Sequence, residues 1–204
     1  AAVRSFIAGL GDADRVALVT FSGHVRLWQA LTVERAALLD ALDGIVARGL
    51  TALKDGLYGG LSLAGPPAER PIVVLFSDGL DNASWTSESE LLEVVRESNA
   101  VVYAVRGSLS LSEAWDRSSQ IRGPTRIYRD KLLRAVTDES GGRFFEIDDS
   151  SGMTSEFRRV VEDIRSRYLL TYYPTGVAED GWHDLDVKLK NRKADVRARR
   201  GYYY

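Results

Sequence analysis

Apolar residues along this chain fall into two rhythms, and the alternation between them sets the expected architecture. Apolar runs stand at Val16–Phe21, interrupted by Thr20 alone, and unbroken at Ile72–Phe76 and Val101–Val105. Each has strand length and turn residues at its ends, as expected of strands buried on both faces in a parallel sheet. Between them the spacing turns helical, at Val33, Ala36, Leu39 and Leu42, then at Leu53, Leu57 and Leu61. It recurs over Leu91–Val95 and on one face formed by Met153, Phe157, Val160, Val161 and Ile164. The opening residues 2–10 read as a helix stopped by Gly11. His24–Trp28 alternates and predicts an edge strand, joined to Val16–Phe21 in a hairpin through Ser22-Gly23. Thr32 is expected to cap the next helix, and Ser87 with Glu90 spells a capping box. Lys131–Ser140 reads as a helix stopped by Gly141-Gly142, with Phe144–Ile147 as the following strand. Such an order predicts an α/β fold: a doubly wound, mostly parallel sheet with flanking helices.

Two stretches break this order. Residues 107–127 show little periodicity over a length unusual for a connection in a compact domain. From Arg167 onward the period is two: Tyr168–Tyr173, Asp184–Lys190 and Ala194–Arg199 predict a three-stranded antiparallel meander. We therefore expect an α/β domain over 1–166 and a β appendage over 167–204. Seven basic residues and one acidic residue lie between Lys188 and Arg200. A basic sheet face of this kind suits an acidic partner, and equally a solvated edge that resists aggregation.

Composition narrows the function classes. At 204 residues and 45% apolar content the chain can bury a substantial core. The formal charge of −2 gives no global attraction to nucleic acid or anionic membranes. Cysteine is absent, so disulfides and thiolate metal sites are excluded. No apolar run reaches the roughly 18 residues of a membrane-spanning helix. Glycine-rich nucleotide loops are missing. Gly60-Leu61-Ser62-Leu63-Ala64 lacks the closing glycine and the strand-to-helix turn of a nucleophile elbow.

The candidate chemistry lies at the ends of the apolar runs. Ile72–Phe76 leads through Ser77 into Asp78-Gly79, and ligands of open α/β sheets bind beyond the carboxyl ends of strands. Thr51 stands at the mouth of the next predicted helix upstream. A carboxylate and a hydroxyl are hard oxygen donors suited to Mg²⁺ or Ca²⁺. Taken singly, Asp78 also suits a turn cap and Thr51 a helix N-cap. Asp81 reads as a loop residue. A metal-assisted hydrolase using Asp78 would need a second carboxylate nearby, and the sequence does not single one out.

Gly49-Leu50-Thr51-Ala52-Leu53 resembles the threonine loop of the von Willebrand factor A domain, and Phe76-Ser77-Asp78-Gly79 resembles its strand-end aspartate. Arg15–Ser22 is similar to that family's second strand, and the order of the pieces matches to about residue 166. Arg167–Pro174 and Arg199–Tyr202 look like the tail of a bacterial, acidobacterial-type subfamily. The resemblance implies a sheet of order 3-2-1-4-5-6 and a non-enzymatic protein-binding module. It also implies a divalent-metal-dependent adhesion site binding Mg²⁺ (or Ca²⁺ or Mn²⁺), completed by an acidic side chain of a protein partner. Thr51 and Asp78 would be metal ligands, and Ser22, Thr51, Asp78 and Arg106 would frame the partner surface. The family's Asp-x-Ser-x-Ser triplet and its central first strand have no counterpart here. The chain is therefore expected to be an N-terminally truncated version in which metal binding is weak or absent. The subfamily resemblance implies a secreted or periplasmic protein. A hydrolase and a purely structural interaction domain are the alternatives.

Overall fold

The computed structural model describes residues 2–46, 49–63, 71–107, 124–147, 153–176, 180–191 and 193–204. In chain order they form α1 (Ala2–Ala8), β1 (Val16–Phe21), β2 (Val25–Thr32), α2 (Arg35–Asp43), α3 (Leu53–Ser62), β3 (Ile72–Ser77) and α4 (Glu88–Glu97). There follow β4 (Val101–Gly107), α5 (Pro124–Ser140), β5 (Arg143–Ile147), α6 (Met153–Arg165), β6 (Trp182–Asp184) and β7 (Gly201–Tyr203). The expected α/β fold is present.

A parallel sheet of order β3-β4-β5 carries the core. Successive β4 side chains point to opposite faces, so the run divides its residues between two cores. Val102 and Ala104 pack with Leu53, Leu57 and Leu61 of α3, Leu91 and Val95 of α4, and Val136 of α5. Tyr103 and Val105 pack on the other face with Phe6 of α1 and Phe157, Val160 and Val161 of α6. Each large apolar side chain so buried contributes about 1.5–3 kcal/mol. Covering both faces therefore makes β4 the best-anchored strand.

β1 and β2 form a separate antiparallel hairpin, from Phe21↔Val25 to Val16↔Thr32. Thr32 ends β2 and does not cap α2. The cap position is Glu34, whose N–H donates to the Thr32 hydroxyl at 3.0 Å. Among the described residues no ladder joins β1 to β3. Helix α3 spans the two sheets, and its glycines allow the close approach. A Cβ at Gly56 would come 2.5 Å from Phe21, and one at Gly60 would lie 3.6 Å from Val73.

Two further expectations are corrected. Helix α5 starts at Pro124, seven residues before Lys131, because the helical backbone continues through a stretch of weak apolar periodicity. Residues 108–123 of the aperiodic stretch lie outside the described residues. The three-stranded meander is replaced by a two-stranded sheet, with Trp182↔Tyr203 and Asp184↔Gly201 in register. Tyr168–Tyr173 has strand-like alternation but no ladder partner among the described residues, and Tyr168 is 93% exposed. Without cross-strand hydrogen bonds or cover for one face, alternation alone does not make a strand. Arginines hold the appendage to the α/β body. Arg199 donates to Asn99 Oδ1 at 2.9 Å and to the Arg96 carbonyl, where cations are favoured at the C-terminal end of α4.

Candidate functional site

Three loops at the carboxyl edge of the sheets are joined through their main chains. The Ala52 N–H donates to the Ser22 carbonyl at 2.8 Å, tying the end of β1 to the entry of α3. The Thr51 carbonyl accepts from the Asn82 and Ala83 N–H groups at 2.9 and 3.1 Å. The Thr51 N–H in turn donates to Asn82 Oδ1 at 2.7 Å. Ser22, Thr51 and the loop after Asp78 thus share one edge, as their positions at strand and helix ends require.

The 78–87 loop also caps α3 from a distance. A helix leaves its first N–H groups without intrahelical partners. Here the Leu53 N–H donates to Asp81 Oδ1 at 2.9 Å, and the Lys54 and Asp55 N–H groups donate to Ser84 Oγ at 3.0 and 3.3 Å. Lys54 Nζ lies 2.8 Å from Asp81 Oδ2, so that carboxylate is fully engaged in structure. The N-cap itself is Ala52, and Thr51 contributes no capping side chain. Asp55 then accepts from the Trp85 and Thr86 N–H groups at 3.0 and 2.9 Å. Burial pushes the Asp55 carboxyl up, but the hydrogen bonds from Thr86 and Trp85, with Lys54 nearby, outweigh it and hold it below the usual range. This clamp presents Trp85 on a fixed backbone with its side chain 96% exposed.

Each residue expected at the site can now be placed. Asp78 accepts from the Leu80 N–H through Oδ1 at 3.0 Å, and Gly79 behind it takes φ +78°. Its second carboxylate oxygen and the hydroxyls of Ser22 and Thr51 have no hydrogen-bond partner among the described residues. Arg106 is one strand further on, paired with Ser77 in the β3/β4 ladder. It is only 7% exposed and is held by Asp130 of α5 at 2.8 Å and by Glu146, its register partner on β5. The Arg106 Nε–Asp130 contact is close but poorly aligned, an ion pair without a formed hydrogen bond. The structure therefore ties Ser22 and the Thr51 loop to the loop that follows Asp78, while Arg106 is neutralised within the body. Asp81 is the loop residue the sequence suggests, but sequence reasoning missed its capping of α3 and the roles of Ser84 and Trp85. The signal was an aromatic inside a polar run, Asp81-Asn82-Ala83-Ser84-Trp85-Thr86-Ser87.

A divalent cation tests poorly against this donor set. Asp81 is occupied by Lys54 and the α3 N-terminus, which leaves one free carboxylate oxygen and two hydroxyls. Among the described residues no group of three Asp, Glu, His or Cys side chains converges on a point suited to an ion. Mg²⁺ demands octahedral oxygen geometry and Ca²⁺ six to eight oxygens, so these residues do not make a cage on their own.

Residues 1–80 match the family model described as von Willebrand factor type A domain. No curated protein matches the chain in sequence at a significant level. Among solved structures, a von Willebrand factor type A protein from Catenulispora acidiphila shares 20% identity with a TM-score of 0.60. That match covers 78% of this chain and 36% of the other, so the chain spans little more than a third of that relative. The conserved hypothetical protein BatB from Bacteroides thetaiotaomicron shares 11% identity over 81% of this chain and 85% of its own, with a TM-score of 0.58. An aerotolerance-related membrane protein from Bacteroides fragilis shares 13% over 79% and 85%, with a TM-score of 0.56. At these identities the structures speak to fold alone. The sequence match makes residues 1–80 similar to the von Willebrand factor type A domain, and the solved structures share that fold over more than three quarters of the chain.

Proposed function

We propose that this chain is a non-enzymatic protein-binding module whose partner docks on the carboxyl edge framed by Ser22, Thr51 and Asp78. The observation that carries this reading is the rigid presentation of Trp85, exposed beside a loop held by Asp55, Asp81 and Ser84. Exposed aromatics on fixed backbones are the usual anchors of protein interfaces. Leu50, exposed next to Thr51, extends the apolar contact. The unused hydroxyls and the free Asp78 oxygen supply polar contacts at its centre.

An acidic side chain from the partner would meet Asp78 as a like charge unless a cation stood between them. Because the chain's own donors are few, an ion bridging the two proteins must take most of its ligands from elsewhere. A secreted or periplasmic setting is consistent with this role. Among the described residues no helix is long and apolar enough to cross a membrane.

Affinity capture from the source organism, with wild type, Trp85→Ala and Asp78→Ala as baits, tests the reading. A protein retained by wild type and lost with Trp85→Ala is expected. A screen of phosphate and ester substrates with Mg²⁺ or Mn²⁺ provides the opposing test: turnover abolished by Asp78→Ala would replace the binding module with a hydrolase.

A further inference from the structure

The appendage carries a second surface, independent of the carboxyl edge. Beyond the Leu185 N–H, which donates to the Arg200 carbonyl at 2.7 Å, the chain runs out and back as one hairpin. Asn191 takes φ +65° near its tip, a conformation that asparagine tolerates better than most residues. Every described residue from Asp186 to Arg197 is exposed, so none of this hairpin is buried against the body. Leu189 is 50% exposed, and Val187 and Val196 are exposed beside it. These three share one open surface with Lys188 and Lys193.

Between Asp186 and Arg197 the sequence holds five basic and two acidic residues, in a chain whose formal charge is −2. Attraction to an anionic surface is therefore local to this hairpin. Lys188 Nζ pairs with Asp186 at 2.5 Å and Arg197 with Asp195 at 3.2 Å, which engages both carboxylates. Lys190 and Lys193 have no acidic partner among the described residues. They flank Asn191-Arg192 in sequence, so uncommitted cations and exposed aliphatic side chains occupy the same end of the hairpin.

We propose that this hairpin docks the protein on an anionic lipid bilayer. Lysine stems lie along apolar surface while their ammonium groups reach the lipid phosphates, and Leu189, with Val187 and Val196, enters the boundary with the acyl chains. Attraction to an anionic leaflet dies away within a Debye length, so the basic residues must be exposed to reach it, as these are. A lysine-guarded edge that resists aggregation accounts for the charge, but not for bare aliphatic side chains among the lysines. An acidic protein would have to match an open, mixed surface that offers no pocket for an anchor, whereas lipid moulds itself to any shape. A nucleic acid fits less well, because residues 186–197 include no aromatic on which bases stack.

Flotation of the full chain with vesicles tests this, using phosphatidylcholine alone and phosphatidylcholine mixed with phosphatidylglycerol. Binding to the anionic vesicles and not to the neutral ones is expected, weakened by about tenfold or more in Lys190→Glu/Lys193→Glu and falling as salt rises. Leu189→Asp should weaken it by about threefold or more. Leu189→Trp should emit fluorescence that brominated lipid quenches beyond the wild-type level, which surface attraction alone does not produce. All three positions are exposed, so these variants keep the fold. Trp85→Ala should bind the vesicles as wild type does, which separates this hairpin from the carboxyl edge. Absence of binding, equal binding to neutral vesicles, or equal binding by the double variant or Leu189→Asp would each overturn the proposal. So would loss of binding in Trp85→Ala, no added quenching in Leu189→Trp, or tighter binding of poly-glutamate or an oligothymidylate than of the vesicles at equal charge.

Discussion

The parallel sheet and the C-terminal appendage are written in similar residues yet reach different ends. In β4 every residue from Val102 to Arg106 is buried, and from Tyr103 to Arg106 each ladder position is filled on both sides. In the appendage, Tyr168–Tyr173 and Val187–Leu189 alternate just as well but stay outside any ladder. Their side chains lie on the surface, with Tyr173 92% exposed. The difference is cover. β4 has α3, α4 and α5 on one face and α1 and α6 on the other. The appendage touches the body chiefly through Arg167, Arg199, Arg200 and β7. Alternation marks a segment able to pair, and whether it pairs depends on what comes to lie beside it.

The largest expected effect breaks the comparison at the body. Gly142 enters β5 against β4, where an added Cβ would fall on the Val102 carbonyl oxygen, a backbone atom that cannot turn aside. Gly142→Ala should cost 3 kcal/mol or more, at or beyond the upper end of about 1–3 kcal/mol for overpacking. Gly176→Ala is the matching change in the appendage, with φ +75° and nothing within 4 Å of the new Cβ. Its cost is backbone strain alone, about 1–2 kcal/mol. Chemical denaturation of both variants checks the ranking, and equal losses would show that the two regions are not packed differently.

Arg106 comes next. Removing it leaves Asp130 and Glu146 facing each other in a poorly solvated site. Breaking a buried pair from one side costs about 3–5 kcal/mol, and the partial exposure of the carboxylates places Arg106→Ala near about 3 kcal/mol. A loss below about 1 kcal/mol by denaturant unfolding would return Arg106 to the list of surface residues available to a partner.

What could be read from the sequence follows the range over which each interaction acts. The Ser87/Glu90 capping box was legible because both partners lie within one turn, and both of its hydrogen bonds are present. The capping of α3 was not, since Asp81 and Ser84 act on groups 28 to 30 residues earlier. Thr51 carries the residue type of an N-cap, yet the helix starts after Ala52 and takes its caps from the distant loop. Ser22, Thr51 and Asp78 could be assigned to one edge because apolar runs reveal where strands stop. The neutralisation of Arg106 could not, because Glu146 lies 40 residues away and meets it only through the β4/β5 register. The appendage strands were overcalled for the reason given by its sparse cover.

Tyr103 joins the two regions and yields a pH test. Its hydroxyl donates to Asp163 Oδ2 at 2.8 Å and accepts from Arg167 at 3.1 Å, and Arg167 opens the appendage. Burial pushes the phenol up to about 12, against the pull of the Arg167 charge. An unfolded tyrosine ionises near pH 10, so between about pH 10 and 12 the native state holds a proton the unfolded state has released. Stability is therefore full below pH 10 and falls as pH rises through 12. Two pH units correspond to about 2.7 kcal/mol, reduced to about 1–2 kcal/mol because Asp163 and Arg167 reach solvent. Unfolding free energies at pH 9 and pH 11.5 should diverge more for wild type than for Tyr103→Phe. Identical slopes would mean that the hydroxyl is not isolated from water.

The smallest expected effect concerns metal, and it sharpens the contrast between a site that is ordered and one that is complete. The carboxyl edge is held by a dense set of hydrogen bonds, yet order does not supply ligands. Asp78 has one uncommitted oxygen, and Asp81 is held by Lys54 and the α3 N-terminus. An ion placed there keeps most of its water, and one partly solvated carboxylate about 4 Å away attracts a dication by only about 2–8 kcal/mol, which the cost of stripping water from the ion offsets. If the dissociation constant exceeds about 50 mM, then about 5 mM Mg²⁺ stabilises the native state by less than about 0.1 kcal/mol. Thermal unfolding with and without Mg²⁺ should therefore superimpose, for wild type and Asp78→Ala alike. A rise in Tm with Mg²⁺ that disappears in Asp78→Ala would show that oxygen donors beyond Ser22, Thr51 and Asp78 complete the sphere. The ion would then belong in the account of partner binding.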